Sequence, residues 1–259
     1  MSKYREIILS VLQEDAKADI ELIDTAKQVY KQCIEAVKKD KTVIPYLQKY
    51  GEWESEDIPL KDFEFPLTFR LELQDDIDYH GIYDDFMNKI TLNISGCLHS
   101  MPEFSNKHIT KDMITLDLLL KLLNLHFFRH AFIHEYQHLA YEQKGIPHQS
   151  YKYAANDDSI VYNNKYRTQP DENNSFMIQD LDRYSNRFEH YINPDMSKEE
   201  KLKALNRFIN NLKTSIDKTI YSNRGAHKPQ YLWANNQHKI NRYFNRLYQY
   251  LYTKFINHE

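Results

Sequence analysis

The chain of 259 residues is long enough for one sizeable domain with additions, and its 41% hydrophobic and 27% charged residues are ordinary for a globular protein. Its two cysteines, Cys33 and Cys97, exclude a disulfide framework and a cysteine-based metal cluster. Residues 1–6 are too polar for a signal peptide, and the most apolar run, 116–133, carries charged residues and histidines that exclude a membrane span. We therefore expect a cytoplasmic protein without membrane contacts.

The first part of the chain predicts a helical lead-in followed by two strands. Apolar residues recur at helical spacing over residues 3–40. Residues 67–73 (LTFRLEL) alternate apolar and polar side chains as a half-buried strand does, and a second strand is predicted at residues 89–94. Because the chain has only five glycines, helices joined by polar loops should dominate the fold. The sequence thus predicts a mainly helical α+β fold.

A helix predicted over residues 112–144 carries the most informative stretch of the chain, HEYQH at residues 134–138. In a helix, residues four positions apart lie about 40° apart on one face, so the imidazoles of His134 and His138 can bind one metal ion. Glu135 lies one step round the helix, where its carboxylate can accept a proton from a water molecule that zinc activates. The spacing supplies two zinc ligands and a general base.

The surroundings of the motif favour a buried helix. Phe132 and Ile133 precede the motif, and uncharged residues also follow it, so the helix can pack against a core. Gly145 and Pro147 are expected to end the helix, which can also break near Leu125. The alternative is an accidental pattern on an ordinary core helix.

With these residues the chain resembles the zincin metallopeptidases, which share the HExxH motif and differ in the third zinc ligand. The metzincin continuation would need a glycine at position 141 and a histidine at position 144, but the chain has Tyr141 and Lys144. The segment 166–176 (YRTQPDENNSF) is instead similar to the helix start that carries the glutamate ligand in gluzincins of small bacterial and phage type. The resemblance implies Glu172 as the third zinc ligand.

Other carboxylates stay open as the third ligand. Glu172 lies in the first turn of a helix predicted over residues 171–190. Acidic side chains stabilise the N-terminus of a helix, so Glu172 can be explained without any metal. Glu189, further along the same helix, would also satisfy a gluzincin arrangement. An aspartate ligand from Asp157 or Asp158 has less support.

The resemblance further implies a zinc-dependent endopeptidase acting on protein or peptide substrates. Its fold would be zincin-like, with a small mixed sheet before the active-site helix and helical additions at both ends. In zincins a strand before that helix commonly borders the cleft and pairs with an extended substrate. The strand at 89–94 is our candidate, and an internal strand without substrate contact fits the sequence equally well. The oxyanion donor is expected in the loop after the helix, among His148, Tyr151, Tyr153, Tyr162 and Tyr166.

Two further histidines continue the spacing of the motif, since His126 and His130 precede His134 by eight and four positions. A second metal or a proton relay is one interpretation of this stripe. The interpretation we prefer is that His126 and His130 are packed or partly solvated residues of a long helix.

The chain is predicted to comprise a helical lead-in (1–50), a zincin-like catalytic core (51–195) and a basic helical region (196–259). Residues 201–259 carry eleven Lys and Arg against two acidic residues, whereas the whole chain has a net charge of −3. This region could contact nucleic acid or an acidic protein, or it could be a helical cap whose charges are solvated or pair with the acidic body. The alternative to a peptidase is thus a non-catalytic zincin-like binding protein. The presence of Glu135 argues against that alternative, because a structural zinc site needs no general base.

Overall fold

The structure of the chain is a computed structural model. It describes all residues except 1–2, 62, 75–79, 96–109, 145–169, 221–236 and 258–259, and it gives the backbone alone for 3–13, 170–173, 215–220, 237 and 239. In the described part the helices and strands are, in chain order, α1 (Lys3–Lys39), α2 (Val43–Tyr50), β1 (Glu52–Glu54), β2 (Thr68–Glu72), β3 (Gly81–Asp84), β4 (Lys89–Asn93), α3 (Leu116–Leu123), α4 (His126–Gln143), α5 (Pro170–Glu189), α6 (Lys198–Ile220) and α7 (Gln237–Phe255).

The fold is mixed α+β and mostly helical, as the sequence predicts. Both predicted strands are present as β2 and β4, and the predicted helix at 171–190 is α5. The helix predicted over 112–144 is two helices, α3 and α4, with the expected break at Asn124 and Leu125. Leu125 has an extended backbone (φ −70°, ψ 142°), which ends one helix and starts the next.

The four strands form one mixed sheet in the order β1-β2-β4-β3. Strand β1 is antiparallel to β2, and β2 is parallel to β4 with Phe69 opposite Ile90. Strands β3 and β4 form an antiparallel hairpin in which Tyr83 is opposite Ile90. In the described part of the chain, β4 is therefore internal and β3 lies at an edge.

One face of this sheet is apolar and packs against α4. Alternation along the strands places Phe69, Leu71, Ile90 and Leu92 on this face, and all four are fully buried. The ring of Phe132 in α4 lies 6.0 Å from the ring of Phe69. Burial of these side chains holds α4 beneath the sheet.

Helix α1 also packs against α4, and it bonds to the end of α3. The ring of Tyr30 lies 5.0 Å from that of Phe132, and its hydroxyl donates a hydrogen bond to the carbonyl of Leu123 at 2.6 Å. Helix α4 thus contacts both the sheet and α1, and every residue from 130 to 140 is buried. The motif of residues 134–138 lies in the middle of this buried stretch.

The chain forms two compact units, Asp24–His148 in one and Met1–Ile23 with Gln149–Glu259 in the other. In the latter unit, the hydroxyl of Tyr243 donates to Asp180 at 2.8 Å, and the guanidinium of Arg246 donates to both carboxylate oxygens of Asp19 at 2.9 and 2.7 Å. The units begin and end at other residues than the segments 1–50, 51–195 and 196–259. Those segments stay a prediction about domain organisation.

Within the described residues, no helix combines the length and the apolarity that crossing a bilayer requires.

Candidate metal centre

His134 and His138 lie side by side on α4. Their ring centroids are 5.1 Å apart, with the ring planes at 68°, and both residues are buried, with 6% and 3% of their surface exposed. The one-turn spacing predicted from the sequence therefore brings the two imidazoles together. Neutral imidazole nitrogens are donors that Zn²⁺ prefers, so the chemistry of this pair fits a zinc ion.

The preceding histidines are arranged differently. His126 is exposed at the first residue of α4, and its ring is stacked on that of His130 at 6.2 Å with an interplanar angle of 22°. His130 is buried. The pair of His134 and His138 is thus closer and more fully enclosed than the pair before it.

Glu135 is buried and packs against the start of β3. A Cβ atom added at Gly81 would lie 2.9 Å from Cγ and 3.2 Å from Oε1 of Glu135. Real Cβ atoms do not approach other heavy atoms that closely, so any other residue at position 81 would shift the Glu135 side chain. The candidate base is therefore held between its own helix and the edge strand.

A second contact attaches β3 to α4. The hydroxyl of Tyr83 donates a short hydrogen bond to Glu142 of α4 and also contacts Asn88 Oδ1 at 3.3 Å. Burial and this bond to Glu142 raise the pKa of Tyr83 above its ordinary value, so the phenol stays protonated and keeps donating. Strand β3 is consequently anchored to α4 at both Gly81 and Tyr83.

The outer edge of β3 presents backbone groups next to Glu135. The amide of Asn93 donates to the carbonyl of His80 at 3.1 Å, so alternation in the antiparallel ladder turns the backbone groups of Ile82 and Asp84 towards β4 as well. The N–H and C=O groups of Gly81 and Tyr83 then face away from β4. In the described residues, β3 pairs with no strand other than β4.

The strand predicted at 89–94 as the border of the cleft is β4, which lies between β2 and β3 in the described part of the sheet. A strand bonded on both sides has no free edge for a substrate. Sequence reasoning missed the edge strand β3, Gly81–Asp84, because four residues are too short for a period of two to stand out. The available signal was Gly81 followed by Ile82 and Tyr83, because a glycine in a strand often marks a close approach of another group.

Of the carboxylates predicted as the third zinc ligand, only Glu189 has a described side chain. Glu172 lies in the first turn of α5, as predicted, but its side chain lies outside the described residues. Glu189 is the last residue of α5 and is exposed. Asp157 and Asp158 also lie outside the described residues, so Glu172 stays our prediction.

Sequence reasoning overlooked a carboxylate on α5. Asp182 is completely buried, and so are the neighbouring polar residues Ser175 and Ser185. A buried carboxylate is costly unless it is paired, hydrogen-bonded or bound to a metal. The signal in the sequence was weak, because Asp182 stands among other polar residues on a helix of mixed composition.

No three His, Cys, Asp or Glu side chains in the described part of the chain are grouped closely enough to hold a metal ion. The described part of the candidate site is therefore a pair of imidazoles, with Glu135 next to His134 in the chain. The proposed oxyanion donors at positions 148, 151, 153, 162 and 166 also lie outside the described residues.

Several basic residues of the region 196–259 are engaged within the protein. Arg246 pairs with Asp19, Lys201 is buried, and the ammonium of Lys213 lies 5.4 Å from the centre of the Phe244 ring. These contacts agree with a helical cap whose charges are partly used internally.

Comparison of the chain with family profiles, with curated proteins and with solved structures finds no significant match. The resemblance to zincins therefore rests on the motif and its geometry.

Proposed function

We propose that the protein is a zinc-dependent metallopeptidase that hydrolyses peptide bonds in a zincin-like active site. The observation that carries this proposal is the placement of Glu135, which follows His134 on α4, is buried and packs against the edge strand β3. A structural zinc site is closed by four protein ligands and needs no general base. A buried carboxylate at this position serves a reaction that moves a proton.

His134 and His138 would bind the zinc ion through their ring nitrogens, and Glu172 is proposed as the third ligand on the basis of the resemblance. Bound zinc would supply a Lewis acid that polarises the scissile carbonyl and makes an attacking water easier to deprotonate. The buried position of both histidines keeps bulk water away and strengthens electrostatic interactions at this point.

Glu135 would act as the general base and then as the general acid. Its carboxylate accepts a proton from the attacking water and later donates that proton to the leaving amine nitrogen. Contact with Gly81 fixes the carboxylate beside the edge of β3. A reacting peptide bond held at that edge would therefore lie within reach of the base.

Strand β3 would hold the substrate. An extended polypeptide could add to the sheet by hydrogen bonding to the outward N–H and C=O groups of Gly81 and Tyr83. Pairing through the backbone is independent of side chains, so the substrate would be an unfolded or extended segment of protein.

The purified protein, supplied with zinc, is expected to cleave an unfolded casein. A chelator should abolish cleavage, and stoichiometric zinc should restore it, because the ion would supply the Lewis acid. Fragments identified by mass spectrometry provide the measurement. Casein that stays intact with a zinc-loaded, folded protein would contradict the proposal.

Gly81→Ala is expected to lower kcat by about a hundredfold with little change in zinc content, because the new methyl group would displace the Glu135 carboxylate. Zinc stoichiometry and kcat on one cleaved peptide provide the measurement. The matched control is Gly51→Ala, which puts a side chain at a positive φ of 81°. That control should lower stability by about 1–2 kcal/mol and leave kcat per folded molecule unchanged. Equal kcat in Gly81→Ala and the parent protein would remove Gly81 from the mechanism.

The second candidate function is that of a non-catalytic binding protein. Its basic region, 196–259, would contact nucleic acid or an acidic protein. A cytoplasmic location stays our expectation.

A further inference from the structure

Four large apolar side chains are exposed around the turn that joins β3 to β4. Phe86 is 94% exposed, Met87 and Phe65 are each more than half exposed, and Ile82 on β3 is nearly half exposed. We call these four residues the hairpin patch. Grouped exposed apolar side chains of this size mark an interaction site in a folded protein.

The turn that carries the patch is internally bonded. The side-chain amide of Asn88 donates to the carbonyl oxygens of Phe65 (3.2 Å) and Pro66, which ties the preceding loop to the turn. The carboxylate of Asp84 accepts from the amide of Met87 at 3.1 Å. Asn88 itself takes a left-handed backbone (φ 47°), which asparagine tolerates well. The patch is thus presented by a defined turn, and a ligand need not order it first.

The charge next to the patch is negative. Glu64 and Asp85 are exposed and adjoin Phe65 and Phe86 in sequence, and Asp84 closes the turn. The ammonium of Lys89, at the start of β4, lies 3.5 Å from a carboxylate oxygen of Glu54. Electrostatic complementarity therefore favours a ligand with Lys or Arg near its apolar side chain, and it disfavours an anionic membrane surface.

The patch continues the edge of β3. Gly81 adjoins the candidate base, and Asp84 begins the turn three residues later, which corresponds to about 10 Å along an extended chain. A segment paired with β3 would therefore reach the patch about three to five residues away from the residue opposite Gly81.

We infer that the hairpin patch is a substrate-recognition site for an apolar side chain that stands next to Lys or Arg, a few residues away from the scissile bond. This inference rests on the proposed function, since it assigns a substrate class to the same site. Phe86 and Met87 bind the apolar side chain, and Asp85 with Glu64 attracts the basic one.

Binding to the zinc-loaded variant Glu135→Gln tests the inference without turnover. The probes are fluorescein-labelled peptides of about twelve residues, built of serine and alanine, with Leu-Phe-Lys-Arg placed near one end or the other. Matched peptides carry Ser-Ser-Lys-Arg or Leu-Phe-Glu-Glu instead. Fluorescence anisotropy should show that one Leu-Phe-Lys-Arg peptide binds about tenfold more tightly than either matched peptide.

Phe86→Ser with Met87→Ser in the same background should remove that preference. Met113→Ser is the matched control, because Met113 is 51% exposed and Met87 is 52% exposed. A thermal melt verifies that each variant is folded. The same affinity for all three kinds of peptide at both placements, or a preference that survives the double substitution, would overturn the inference.

Other occupants of the patch give different results. A parent protein that is dimeric in sedimentation and becomes monomeric on the double substitution, without any peptide preference, would assign the patch to self-association. Binding to neutral phosphatidylcholine vesicles that the double substitution removes, again without peptide preference, would assign it to a lipid surface. Either result would overturn the inference. The proposed peptidase activity is tested separately, by cleavage of casein with Glu135 intact. Its failure would not change the outcome of the binding assay.

Discussion

Glu135→Gln is expected to reduce kcat for peptide cleavage by about three orders of magnitude while zinc stays bound. Glutamine has almost the same shape as glutamate, so it should fit in the space beside Gly81. Its amide cannot accept the proton of the attacking water or return it to the leaving amine. The substitution therefore removes the proton transfer and keeps the structure.

The measurement pairs a kcat determination on a cleaved peptide with elemental analysis of the same preparation. Glu199→Gln is a suitable control, because Glu199 is exposed on α6 and its ion pair with Lys203 is an exposed one of small energetic value. Turnover and zinc content should be unchanged in the control. Peptide cleavage at the parent rate by Glu135→Gln would eliminate Glu135 as the base.

His134→Ala and His138→Ala are each expected to weaken zinc binding by more than about a hundredfold. Loss of groups that only support metal ligands already weakens binding by about 10–100-fold, so loss of a ligand should have a larger effect. The variants should be purified without stoichiometric zinc. Added zinc should also stabilise them less against heat than it stabilises the parent protein, because stabilisation by a ligand follows its affinity.

The chain supplies its own control for this experiment. His126 stands in the same four-residue series but is exposed and stacked on His130, so His126→Ala should keep one zinc ion per chain. Comparable loss of zinc in His126→Ala would mean that the ion is bound by another part of the series.

The same zinc measurement assigns the third ligand. Glu172→Gln and Glu189→Gln each remove one charge and little volume. Our prediction is that Glu172→Gln loses zinc and Glu189→Gln keeps it. Zinc loss from Glu189→Gln alone would instead identify Glu189 as the ligand.

Local patterns of the sequence predicted the parts of the fold that depend on local physics. Helical periodicity predicted α1, helix-start residues predicted α5, and a period of two predicted β2. The spacing of His134 and His138 placed their rings together, because helix geometry determines which residues share a face.

Features that depend on contacts between distant residues could not be predicted. Strand β1, Glu52–Glu54, has two charged residues out of three, and it is a strand because it pairs with β2. Whether β4 was internal or at an edge depended on a hairpin partner too short to detect. The need for glycine at position 81 arises from a side chain more than fifty residues later in the chain.

The two anchors of β3 have a consequence for inhibitor design. Gly81 is packed on Glu135, and Tyr83 is hydrogen-bonded to Glu142, so the edge strand β3 and the candidate base are both held on α4. A mimic of an extended peptide would thus find its docking groups already in position and lose little entropy in ordering them. Rigid, strand-like compounds with a zinc-binding group should accordingly gain more affinity than flexible ones of the same composition.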